Sequence, residues 1–145
     1  MARYVTSVRS PWTPEDAFDF LADLRNFERW DPGVKSSRQV AGDSVAIGAR
    51  YEVTVTGSRL VYTLEELQRP TRVVAAATTK RLTSRDVVTV AAEGGGSVCT
   101  YDATLTLNGA FRLLEPVMAL VFRRVGDRAA RGLAEALEGV IVPPG

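Results

Sequence analysis

The last third of the chain sets the terms for everything before it. Over residues 112–137, Met118, Phe122, Val125, Ala129, Leu133, Ala136 and Leu137 fall on one side of a 3.6-residue wheel. Arg124, Asp127, Arg128, Arg131, Glu135 and Glu138 fall on the other. This is the pattern of a long helix with one buried face. From Pro116 to Glu138 it would run about 35 Å at 1.5 Å per residue, so only a broad apolar surface can bury its stripe. Glu115-Pro116 marks either the first helical position or a kink.

Gly126, Ala129, Gly132 and Ala136 lie on or beside the stripe, where a dense core would more often present Leu or Ile. Two readings are open. The small residues can let the helix sit directly on its partner surface, or they can leave space for a ligand. The first part of the helix differs, because Leu113, Leu114, Val117, Met118, Leu120, Val121 and Phe122 are apolar almost all round. Such a segment is expected to be covered on both sides, by other parts of the chain, a second copy or a membrane surface.

The preceding hundred residues supply the partner surface. Residues 3–9 alternate Tyr4, Thr6 and Val8 with Arg3, Val5, Ser7 and Arg9, as a half-buried strand does. Thr13 then offers a cap, Pro14 suits the first helical position and Asp16 stands three residues after the cap. This predicts a short helix with Ala17, Phe18, Phe20, Leu21 and Leu24 inward, ending near Arg25-Asn26. A second turn over residues 27–30 is stopped by Asp31-Pro32-Gly33. Six more strands are predicted at 34–40, 50–55, 59–67, 73–79, 84–92 and 98–107, joined by short links such as Thr56-Gly57-Ser58. Links that short demand antiparallel neighbours. The expected fold is α+β: a curved antiparallel sheet of about seven strands, with two short helices after the first strand and the long helix across the concave face.

In the last strand Cys99, Tyr101, Ala103, Leu105 and Leu107 share one face. Ala75, Ala77, Cys99 and Ala103 are small for core positions, matching the small residues on the helix. Voids in a plain core are costly, so sparse lining on both sides supports a cavity. The expected lining is Trp30, Tyr51, Tyr62, Ala75, Asp86, Val88, Cys99 and Tyr101 from the sheet side, and Met118, Phe122, Val125 and Ala129 from the helix.

Composition restricts the chemistry. The 145 residues suit one domain. No histidine is present, which excludes His-based triads, proton shuttles and metal sites. The single cysteine, Cys99, excludes an intrachain disulfide and a Cys-cluster zinc site. No metal or cofactor is expected. A net charge of +1 gives no case for nucleic acid or an anionic membrane as the main partner. The first residues lack the apolar core of a secretory signal, and no apolar run reaches membrane-spanning length, so a cytoplasmic location is expected.

Proton transfer would therefore fall to Asp, Glu, Tyr or Arg. Asp86 shares parity with Val88 and Val90, and Glu66 with Leu60, Tyr62 and Leu64. A carboxyl held in an apolar cavity would have a raised pKa and could act as acid or base. The competing reading solvates Asp86 at a sheet edge near Arg81 or Arg85, and turns Glu66 outward where Glu65-Glu66 breaks the alternation. Tyr51, Tyr62 and Tyr101 can donate to a ligand carbonyl or phenol, or fill the core with their hydroxyls at solvent or backbone. Trp30 either locks the short helices to the sheet or touches ligand. Gly94-Gly95-Gly96 lacks the Lys-Ser/Thr and helix of a phosphate loop and reads as a hairpin turn.

Phe18-Asp19-Phe20-Leu21-Ala22-Asp23, the segment Phe27-Glu28-Arg29-Trp30-Asp31-Pro32-Gly33, Ile47-Gly48-Ala49-Arg50-Tyr51 and Thr100-Tyr101-Asp102-Ala103, in this order of elements, resemble the START-like, helix-grip (SRPBCC) superfamily. The resemblance covers nearly the whole chain and is closest to the bacterial polyketide cyclase/dehydrase and lipid transport-like branch. It implies an internal pocket for a lipid, sterol, polyketide or aromatic metabolite, walled partly by the long helix. Three functions remain open: a binder or carrier of a small hydrophobic molecule, a cyclase, aromatase or dehydratase using Asp86, Glu66 or Tyr62, and an interaction module or homodimer formed through residues 113–122.

Overall fold

The computed structural model describes residues 1–144. Strand β1 (Ala2–Ser10) leads into helix α1 (Pro14–Ala22), a 3-10 turn (Leu24–Asn26) and the short helix α2 (Phe27–Trp30). Strands β2 (Val34–Ala41), β3 (Arg50–Val55), β4 (Ser58–Gln68), β5 (Arg72–Thr78), β6 (Leu82–Glu93) and β7 (Gly96–Leu107) follow. A second 3-10 turn (Gly109–Leu114), the long helix α3 (Glu115–Ala136) and strand β8 (Val140–Val142) complete the chain. All eight strands form one sheet in the order β2-β3-β4-β5-β6-β7-β1-β8, every pairing antiparallel.

Local chemistry sets the boundaries. The Thr13 hydroxyl accepts from the Asp16 N–H at 3.2 Å and Pro14 opens α1. The helix stops at Ala22, short of the expected Arg25-Asn26, because Asp23 is extended and its carboxylate accepts from the Arg25 N–H at 3.1 Å. The eighth strand, absent from the expected seven, pairs along β1 opposite β7. Gly139 lets it start there, since a Cβ at that position would lie 2.2 Å from the Arg9 carbonyl oxygen.

The small residues of α3 serve close approach. A Cβ on Gly126 would fall 2.4 Å from the Tyr4 ring, and one on Gly132 would fall 1.9 Å from the Trp30 carbonyl oxygen. The helix thus sits directly on β1 and on the turn after α2. Its buried residues, Gly126, Ala129, Ala130, Leu133 and Ala134, all belong to its second half. Cover on both sides of the first half is not provided by the described residues: Leu120 is 69% exposed and Val117 61%, and Leu113, in the preceding 3-10 turn, is 87% exposed. Among the described residues, no element of the fold lies outside that part of α3.

One apolar cluster joins Val8, Tyr51, Leu64, Val73, Val88 and Cys99 of the sheet to Phe18 and Leu21 of α1, Trp30 of α2, and Leu133 and Leu137. Trp30 stacks on Phe27 with ring centroids 4.9 Å apart and meets Tyr101 edge-on at 5.2 Å. The two short helices are pinned to the sheet through these rings.

Candidate functional site

The period of two along β6 puts Ser84, Asp86, Val88 and Val90 on the sheet face that carries the helices. The register sets Asp86 opposite Ala75 on β5 and opposite Ala103 on β7. With methyl groups on both sides, neither neighbouring strand fills the space above the carboxyl. Val73 and Val88 flank it one ladder step along, as do Ala77 and Ser84 the other way. Leu21 of α1, Leu24 of the 3-10 turn, and Phe27 and Trp30 of α2 roof this position.

Between roof and sheet lies a cavity of about 20 Å³, lined by Leu21, Leu24, Phe27, Trp30, Val73, Ala75, Asp86, Val88 and Tyr101. It has room for about one water molecule. Asp86 is the only carboxyl in this wall and is 8% exposed. The Tyr101 hydroxyl donates to Oδ2 of Asp86. Its Oδ1 has no hydrogen-bond partner among the described residues. Alongside, the Tyr62 and Ser84 hydroxyls share a hydrogen bond of 2.8 Å.

Burial pushes the Asp86 carboxyl up to about 7; the Tyr101 hydrogen bond opposes the shift, while the charges of Asp31 and Asp102 add to it. Burial likewise holds Tyr62 and Tyr101 well above the ordinary phenol range, so both remain hydrogen-bond donors. Asp31 is also raised by burial, against a hydrogen bond of 2.8 Å that it accepts from the Gly33 N–H. A carboxyl that exchanges its proton near neutrality, beside a fixed hydroxyl, can donate to or accept from a polar atom of a guest.

Of the residues singled out from sequence, Trp30, Ala75, Asp86, Val88 and Tyr101 meet at the cavity. Tyr62 lies on the same face outside the lining. Tyr51 is fully buried and its hydroxyl reaches neither solvent nor backbone; it has no partner among the described residues. Cys99 is buried beside Ser97, at 3.9 Å, away from the cavity, and burial lifts its thiol to about 11. Met118, Phe122, Val125 and Ala129, expected on the helix side of the lining, do not line this cavity. Seating α3 on β1 puts Ala129 in the core and leaves Val125 42% exposed.

Glu66 takes the outward of its two readings. A bulge between Leu64 and Glu66 gives Glu66 the ladder position of Val74, on the other face from Ala75. There it accepts from Arg72 Nε at 3.0 Å, half-exposed. The solvated-edge reading of Asp86 fails in turn, since β6 is an interior strand with a ladder on each side. Sequence reasoning misses Ser84, although it shares the parity of Asp86. It places Leu21, Leu24 and Val73 inward but not at the site. Among the described residues, no cluster of three or more metal-ligating side chains is present.

A family profile described as polyketide cyclase / dehydrase and lipid transport matches residues 1–138. The chain belongs to this family. Its fold is the START-like helix grip, and the space between helices and sheet is the helix-grip cavity of that family. No curated protein matches the sequence. Among solved structures, the polyketide cyclase/dehydrase-like chain is similar to a START superfamily protein from Mycobacterium smegmatis (TM-score 0.75, 11% identity, 95% of this chain and 98% of that one). It is similar also to XoxI from Bacillus cereus (TM-score 0.71, 16% identity, 95% and 96% covered). A third similar structure is Ms6760 from Mycobacterium smegmatis (TM-score 0.60, 17% identity, 94% and 90% covered). At these identities the likeness is one of fold.

Proposed function

We propose that this family member binds or carries a small hydrophobic molecule, a lipid, polyketide or aromatic metabolite, in the cavity between sheet and helices, in the cytoplasm. One observation carries the reading: a carboxyl and a hydroxyl, Asp86 and Tyr101, are set into an otherwise apolar wall with alanines on both adjacent strands. A plain core gains nothing from a buried carboxyl, whose desolvation is costly without a full set of partners. A guest with an apolar body and one polar atom matches the wall, its polar atom meeting Oδ1 of Asp86. In the closed form the cavity holds only about one water, so such a guest must part the roof from the sheet.

Native mass spectrometry of freshly purified protein, followed by organic extraction, tests this. The expected result is a discrete extra mass that extracts into solvent and is missing from Ala75→Leu, whose side chain would occupy the cavity. An extra mass kept equally by Ala75→Leu, or bare protein in both, would count against the proposal.

A second reading has the same site perform proton transfer, as a cyclase, aromatase or dehydratase. The pKa of about 7 at Asp86 favours it, since a general acid or base works best near the operating pH. Unchanged turnover in Asp86→Asn and Tyr62→Phe would remove this reading while leaving the binder intact.

A further inference from the structure

The end of the molecule formed by the start of α3 has a composition that the pocket does not use. Leu113, Leu114, Val117, Leu120 and Val121 are exposed together, next to Phe111. At 100° per residue, Val117, Leu120 and Val121 project from the side of α3 opposite Gly126 and Leu133. From Arg124 onward that same outer side turns charged, with Asp127, Arg128 and Arg131.

Cations collar the apolar area. Arg112, Arg123 and Arg124 are exposed on the segment itself, and the Arg81 guanidinium stands 5.7 Å over the Phe111 ring with Lys80 beside it in sequence. None of these five makes an ion pair among the described residues. The acid inside the segment, Glu115, accepts from the α-amine of Met1 at 2.6 Å and from the Leu107 N–H at 3.3 Å. Asp127, at the edge, accepts from the Tyr4 hydroxyl at 2.7 Å. The whole-chain charge of +1 conceals this local excess.

We propose that this end docks on an anionic lipid bilayer, with Leu113, Leu114, Val117, Leu120 and Val121 in the headgroup region and Arg112, Arg123 and Arg124 on lipid phosphates. An apolar helix side with basic flanks is what an interfacial helix requires, and an anionic surface attracts each nearby cation. A second copy fits less well, because a two-fold contact through the same area would oppose the two arginine collars, with Glu115 already engaged. This surface shares no residue with the lining of the cavity.

Co-sedimentation with phosphatidylcholine vesicles, with and without about 30% phosphatidylglycerol, decides it, with light scattering of the same samples without lipid. Binding is expected to the anionic vesicles only and to weaken as salt rises from 50 to 500 mM, roughly the range over which screening sets in. Leu120→Glu should abolish it, with an unchanged melting temperature showing that the fold survives. Removing Arg123 and Arg124 as alanines should weaken it by roughly fivefold each. Ala75→Leu should bind vesicles as the wild type does, so that failure of the pocket reading and failure of this one are told apart. The proposal is overturned by no binding to anionic vesicles, by equal binding to neutral ones, or by undiminished binding in Leu120→Glu. A wild-type dimer that Leu120→Glu dissociates, with no vesicle binding, would assign the surface to a second copy instead.

Discussion

Asp86→Asn keeps the shape of the side chain and an oxygen for Tyr101, and removes only the proton equilibrium. In the folded protein the carboxyl titrates at about 7, against an ordinary 3.8. That difference of about three pH units corresponds to roughly 4 kcal/mol at about 1.4 kcal/mol per unit. Below about pH 4 both folded and unfolded chains hold the proton, and Asp86 costs the fold nothing through ionisation. Between about 4 and 7 the unfolded chain releases the proton while the folded chain keeps it, so stability falls as pH rises. Above about 7 the loss is complete and the fold carries a buried carboxylate. The amide of the Asp86→Asn variant has no such dependence, while Tyr62, Tyr101, Asp31 and Asp102 are common to both proteins. The stability of Asp86→Asn relative to wild type should therefore rise by roughly 4 kcal/mol between pH 4 and pH 8. Urea denaturation followed by circular dichroism at each pH measures the difference directly. Profiles that run parallel to within about 1 kcal/mol would refute the burial and pKa argument for Asp86.

Three further outcomes follow from single contacts. Tyr51→Phe deletes a buried hydroxyl that has no partner among the described residues, and should leave stability unchanged or raise it by about 1 kcal/mol in the same denaturation assay. Gly132→Ala drives a methyl against the Trp30 carbonyl and should cost about 3 kcal/mol, read as a lowered urea midpoint. Glu66→Gln, at a half-exposed ion pair on the far face, should change stability by less than about 1 kcal/mol and leave any guest binding as it is.

Much of the fold is legible in the sequence because its signals are local. Thr13-Pro14 starts α1, the Gly- and Pro-containing links force antiparallel neighbours, and the parity of β7 separates its two faces. The eighth strand is not legible, since three residues carry no alternation and its place depends on Gly139 passing the Arg9 carbonyl. The first half of α3 misleads for a related reason: all-round apolarity signals cover, yet only the packing of the other elements shows that none of the described residues lies outside it. At the site, parity aims Asp86 inward. Its depth depends on Ala75 and Ala103 being its partners on two other strands, which no single strand reveals. For Glu66 the bulge at Glu65-Glu66 reverses the parity, an outcome that the irregular pattern hints at but does not decide.

A small hydrophobic guest, on the function proposed above, occupies the space above Asp86. Leu21, Leu24, Val73 and Val88 line that space and carry methyl groups, so methyl NMR during titration with neutral aromatic and lipid probes reports on it directly. Saturable shifts are expected at these four residues for at least one probe class, lost in Ala75→Leu. Shifts confined to the exposed methyls of Leu113, Val117 and Leu120, with the four cavity residues unmoved, would contradict it.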